Sequence, residues 1–202
     1  MRSFSPYRAL VAGAAAAAPA LAFAHAGMHE GHDLVHGFMH PLGGLDHVLA
    51  MVAIGVIAAR LGGRALWALP ASFVAAMAVA GICGMAGLGL PDPETAIALS
   101  VIVLGAVIAR PVRWPATLLA GMVAPFAVFH GYSHGLAMAD ARSVVAFGSG
   151  FVAATVLLHL AGIGLGLALD HAGVSRGLRI ARAGGCAIAL AGVAILAGAL
   201  TG

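Results

Sequence analysis

The chain is a succession of long apolar runs separated by short breaks that hold most of its polar residues. Six runs follow one another at 45–61, 66–88, 94–110, 114–131, 144–169 and 183–200. About 20 apolar residues, rising 1.5 Å each as a helix, cross the hydrocarbon core of a bilayer. Charged residues make up 8% of the 202 positions, against about a quarter in a soluble domain, and the mean hydropathy is +1.05. The pattern predicts an all-α membrane protein of about six transmembrane helices, with the lipid bilayer as its surroundings. Trp67, Trp114 and Tyr132 fall at the ends of runs, where aromatic rings anchor at the membrane surface. Glycines such as those in Gly162-Ile163-Gly164-Leu165-Gly166 predict closely packed helices.

The first 24 residues have a different pattern. Arg2 and Arg8 precede an alanine-rich stretch that ends in Ala22-Phe23-Ala24, the small-x-small pattern of a signal cleavage site. Pro19 within it disfavours a lasting helix. This predicts a cleavable signal peptide over 1–24, a His-rich external segment over 25–40 and a six-helix transmembrane domain over 41–202. The arginines support the same orientation. Arg60, Arg64, Arg110, Arg113, Arg176, Arg179 and Arg182 fall in alternate loops, and only Arg142 falls in the opposite set. Positive residues stay on the cytoplasmic side, so both mature termini are expected outside the cytoplasm.

Composition removes several functions. All ten basic residues are arginine, so there is no lysine for a Walker-A site or a Schiff base. The arginines are scattered without interleaved aromatics, so no nucleic acid is expected as a partner. Cys83 and Cys186 each sit inside an apolar run and read as small buried hydrophobes.

Against this background the histidines are concentrated. HGFMH (36–40) and HGYSH (130–134) share one frame, and Asp46-His47 opens the first run. Glu94 opens the third run from the same outer side, and Asp140 follows the second cluster. His36, His40, Asp46, His47, Glu94, His130 and His134 therefore converge on the outer mouth of the expected bundle. Members of each histidine pair are four apart and share a face where the chain is helical. Pro41 predicts a helix beginning near it, with His40 at the entrance. Imidazole and carboxylate donors without thiolates suit a divalent ion such as Ni²⁺, Co²⁺ or Zn²⁺. His159, one turn after Thr155, reads first as a satisfied interhelical histidine and second as part of a pathway.

The stretch HPLGGLDHVLAMVAIG (40–55) resembles the signature of the HupE/UreJ family of hydrogenase- and urease-associated nickel permeases, in which a histidine, five residues and Asp-His open the first mature span. FHGYSHG (129–135) looks like the family's second motif, and ETAIALSVIVLG (94–105) is similar to its acidic-led third span. The family's second motif usually continues to a glutamate three residues after its last histidine, where this chain has Ala137. The resemblance implies a non-enzymatic secondary permease in the bacterial inner membrane. It would import Ni²⁺ or Co²⁺ as substrate, with nickel-enzyme accessory proteins as partners and periplasmic termini. An intramembrane metal-dependent hydrolase competes poorly, because HEGHD has Asp33 where H-E-x-x-H needs its second histidine. A membrane metal sensor that binds without transporting is the other alternative.

Overall fold

The computed structural model describes residues 33–110, 115–139 and 141–201. The expected signal peptide, His25, His29, His32, Arg113, Trp114 and Asp140 lie outside the described residues. Seven helices follow in order: α1 (Asp33–Gly43), α2 (Leu45–Leu61), α3 (Ala65–Met85), α4 (Pro93–Ala109), α5 (Ala116–Met138), α6 (Val144–His171) and α7 (Val174–Thr201). Among the described residues there is no strand. Helices α3, α5, α6 and α7 are long and apolar enough to cross a membrane, and α1 with α2 makes a fifth, bent by 81° at Gly44. The remaining helix, α4, is apolar and 17 residues long.

Local chemistry explains the boundaries. Gly44 is extended, with φ −99° and ψ 114°, so the chain turns between α1 and α2 without a Cβ to crowd it. Asp92 caps α4 by accepting from the Thr95 amide at 3.3 Å, with Pro93 next to it. Ser143 caps α6 by accepting from the Ala146 amide at 3.3 Å. Its own amide donates to the Asp33 carboxylate at 2.6 Å, which ties the start of α1 to the start of α6.

Helix α2 occupies the centre, with Ala50, Met51, Ala53, Ile54 and Ala58 fully buried. It runs parallel to α6, and glycine makes the approach possible. A Cβ on Gly55 would meet the His159 carbonyl, and one on Gly162 would meet the Val52 carbonyl. Helices α3 and α5 are also parallel: a Cβ on Gly131 would meet the Met77 carbonyl and one on Gly135 the Gly81 carbonyl. Gly105 and Gly185 play the same part between α4 and α7, which run antiparallel. In a bilayer, packing of this kind substitutes for the hydrophobic driving force that water would supply.

Several expectations change. Helix α1 begins well before Pro41 and runs through it, so His36 and His40 ride on a helix, and the boundary drawn between residues 40 and 41 falls inside that helix. Pro41 removes only one amide near the C-terminal end. The helix is held by burial against α6, where Gly37 faces the Phe147 backbone. Helix α5 continues to Met138, seven residues past its expected end, so HGYSH lies within it and Tyr132 is buried, not anchored at a membrane surface. Helix α7 begins at Val174, which puts Arg176, Arg179 and Arg182 on its first turns and not in a loop. Trp67 does lie exposed near the start of α3. Cys83 is half-buried and Cys186 is exposed, so the latter is not a core residue.

Candidate metal centre

Asp46 and His47 stand in the first turn of α2 because Gly44 ends the preceding bend. The Asp46 Oδ1 accepts from the His47 amide at 2.7 Å, a favourable place for a carboxylate at a helix N-terminus. His130 and His134 are one turn apart on α5 and point into the same space. Among the described residues, His47, His130 and His134 can each turn one ring nitrogen so that all three lie within 4.8 Å of one another. Nitrogens bound to one ion at about 2.1 Å lie roughly 3–4 Å apart, so closing on a metal takes a shift of about 1 Å.

The hydrogen bonds indicate which atoms are ready. The Ser100 hydroxyl on α4 lies 2.6 Å from the Ile97 carbonyl. The same hydroxyl lies 3.0 Å from His130 Nε2, a hydrogen bond whose direction follows the imidazole tautomer and which fixes the ring in place either way. His130 Nδ1, on the other side of the ring, is fully buried and has no hydrogen-bond partner among the described residues. Orienting a ligand through its other ring nitrogen is the usual arrangement at metal sites. His47 Nδ1 lies 2.9 Å from His134 Nε2, so one of these two donates to the other. On its far side, His47 Nε2 lies 3.4 Å from the Thr155 hydroxyl on α6.

Aromatic rings close the walls. Phe151 lies 4.6 Å from His134 and 5.4 Å from His47 between ring centroids. Phe73 stands edge-on to His130 at 6.0 Å. Half-buried His40 sits 5.1 Å from His134, at the rim of the cluster. His36 is exposed, 6.2 Å from His40 and against Phe147.

The seven expected residues thus divide. Three imidazoles form the centre, His47 and His130 buried and His134 half-buried, while His40 borders it and His36 lies outside. Asp46 and Glu94 do not join the imidazoles. They line a separate cavity of about 360 Å³ with Ser133, Ile97 and the end of α7 at Ile195, Gly198 and Ala199. The reason is angular: Asp46 and His47 are adjacent, so their side chains leave α2 about 100° apart. Ser100, Phe73 and Phe151 were missed by sequence reasoning, and Thr155 was noted only beside His159, not as a neighbour of His47. Only the hydroxyls left a signal, as lone polar residues inside apolar runs. His159 is also corrected. It is 2% exposed, and neither ring nitrogen has a partner among the described residues, so it is not a satisfied interhelical histidine. Such an unmet group costs about 1–3 kcal/mol.

An all-helical, multi-pass membrane protein with a buried imidazole cluster toward one end of the bundle is the class these features define. Residues 13–195 match the family described as HupE / UreJ protein, and the chain belongs to that family. It is 46% identical over 186 residues to Protein HupE of Rhizobium leguminosarum bv. viciae, covering 92% of this chain and 95% of that one. No solved structure matches the chain.

Proposed function

We propose that the protein is a secondary permease that takes up Ni²⁺, with Co²⁺ as the nearest alternative, and that His47, His130 and His134 are its first desolvated binding site. The observation that carries this reading is the unpartnered His130 Nδ1 beside two further imidazoles, buried in an apolar bundle. A buried ring nitrogen without a partner, on a ring held in place by Ser100, is poorly explained by packing and well explained by a cation. Membership of a family associated with hydrogenase and urease supports nickel as the substrate.

Helices α2 to α7 serve as six spans, with α1 laid across the outer end of α6. At 17 residues each, or about 26 Å, α2 and α4 are somewhat short for a typical bilayer, a mismatch that local thinning accommodates. Arg60, Arg110 and the α7 arginines lie at the helix ends remote from the histidines. By the positive-inside rule the imidazole end faces outward. Asp46 and Glu94 then border the approach and attract the ion before His40 and the trio strip its water. A doubly charged ion moving inward gains about 4.6 kcal/mol per 100 mV of inside-negative potential, sufficient to drive accumulation without nucleotide hydrolysis.

Radioactive nickel uptake into proteoliposomes tests the reading, together with equilibrium binding to the purified protein. Wild-type protein is expected to show both, and His47→Ala to lose at least about a hundredfold in binding, the equivalent of roughly 3 kcal/mol. Binding without potential-driven uptake would make the protein a sensor or store. Normal uptake by well-folded His47→Ala would refute the site.

A further inference from the structure

His159 is the least explained polar residue in the bundle. It lies midway along α6, 2% exposed, with both ring nitrogens unpartnered among the described residues. One turn before it on the same helix, Thr155 reaches His47 Nε2 at 3.4 Å. Phe73 connects the two levels: its ring lies 6.0 Å from His130 and 5.9 Å from His159. The His159 backbone faces Gly55, two turns further along α2 than His47. Helical side chains lean toward the N-terminus of their own helix. On α6 that direction leads from His159 back toward Thr155 and the three imidazoles.

We infer that His159 is a second, deeper station for the same divalent ion, receiving it from His47, His130 and His134 past the Thr155 hydroxyl, with Phe73 as the dividing wall. The inference rests on the trio being the first site. An imidazole with a free lone pair offers a borderline divalent ion the kind of donor it has just left. Beyond Thr155 the core around α2 is otherwise apolar, from Ala50 to Ala59. Without this ring a desolvated cation would meet alkyl side chains alone. A single imidazole holds the ion more weakly than three, which suits a place that must release its cargo. The unmet hydrogen-bonding capacity of His159 then has a purpose, because the passing ion satisfies it.

The test uses the full-length protein with His159→Leu, His159→Cys and His47→Ala, read by equilibrium binding of Ni²⁺ in detergent and by radioactive nickel uptake into proteoliposomes. His159→Leu fills the space and removes an unsatisfied polar group, so it is expected to fold with an unchanged or higher melting temperature. It should bind nickel within about threefold of wild type, yet transport at least about tenfold more slowly, as expected when a donor acting only in passage is lost. His159→Cys keeps one metal donor and should retain a measurable part of the uptake that leucine loses. Wild-type transport by His159→Leu would overturn the inference. So would equal loss in the leucine and cysteine variants, or loss of binding in parallel with uptake, because each would assign His159 a packing role or a place in the first site. His47→Ala separates the two claims: if it binds and transports normally the first site itself is wrong, whatever His159 does.

Discussion

The two motif histidines of α5 are held in place by a glycine between them, and that dependence can be measured. Gly131 follows His130 directly, and its α-carbon rests on the Met77 backbone of α3. A Cβ there would overlap the Met77 carbonyl oxygen, and backbone cannot step aside as a flexible side chain can. Gly121 lies on the same helix with nothing within 4 Å of an added Cβ. Both substitutions to alanine carry the same intrinsic helix preference, about 0.5–1 kcal/mol in favour of alanine. At Gly121 nothing opposes it, so Gly121→Ala is expected to leave the melting temperature unchanged or raise it slightly. At Gly131 the helices must part, and overpacking of that kind costs about 1–3 kcal/mol or more. The helix preference cancels between the two, so Gly131→Ala is destabilising relative to Gly121→Ala by the overpacking cost, roughly 1–3 kcal/mol. Parting α3 from α5 also displaces His130 and His134 relative to His47, in a site whose closure on an ion already takes a shift of about 1 Å. Nickel affinity should fall at least about tenfold in Gly131→Ala and not in Gly121→Ala. Thermal melts and equilibrium dialysis on the two purified variants decide the matter. Equal melting temperatures and equal affinities would refute the close α3–α5 approach and the positioning role that follows from it.

Acid should release the ion. A protonated imidazole has no lone pair to give, so nickel binding is expected to weaken as external pH falls from about 7.5 to 3.5, an interval wide enough to take in histidines displaced from their ordinary range. Equilibrium dialysis that stayed flat across that interval would exclude imidazole ligation. Asp46 and Glu94 line their own cavity, so they should act on the approach of the cation through charge. Asp46→Asn and Glu94→Gln should each raise the nickel concentration for half-maximal uptake by about tenfold, and added salt should blunt the difference at the exposed Glu94 more than at Asp46. Uptake curves indistinguishable from wild type at low salt would remove the carboxylates from the path.

What the residues by themselves determined is considerable. The spacing of apolar runs predicted helices at six places, and each is present, with the first recovered at Leu45–Leu61. The reason is that a long uninterrupted apolar run must satisfy its backbone within itself once water is gone, and a helix does so locally. The clustering of histidines in an apolar chain likewise marked His36, His40, His47, His130 and His134 as candidates, of which packing brings the last three together. The rest depended on which faces meet. Helix α1 survives Pro41 because Gly37 lets it lie against α6, a contact between residues more than a hundred positions apart. Asp46 and His47, neighbours in sequence, separate, one lining a cavity and the other joining the imidazoles, because consecutive helical side chains diverge. Ser100 meets His130 and Thr155 meets His47 across helix interfaces that no local pattern specifies. His159 has the same place in the sequence whether its nitrogens are satisfied or not. Only the packing of α6 against α2 and Phe73 leaves them without a partner, because satisfaction of a buried polar group is a property of its neighbours in space.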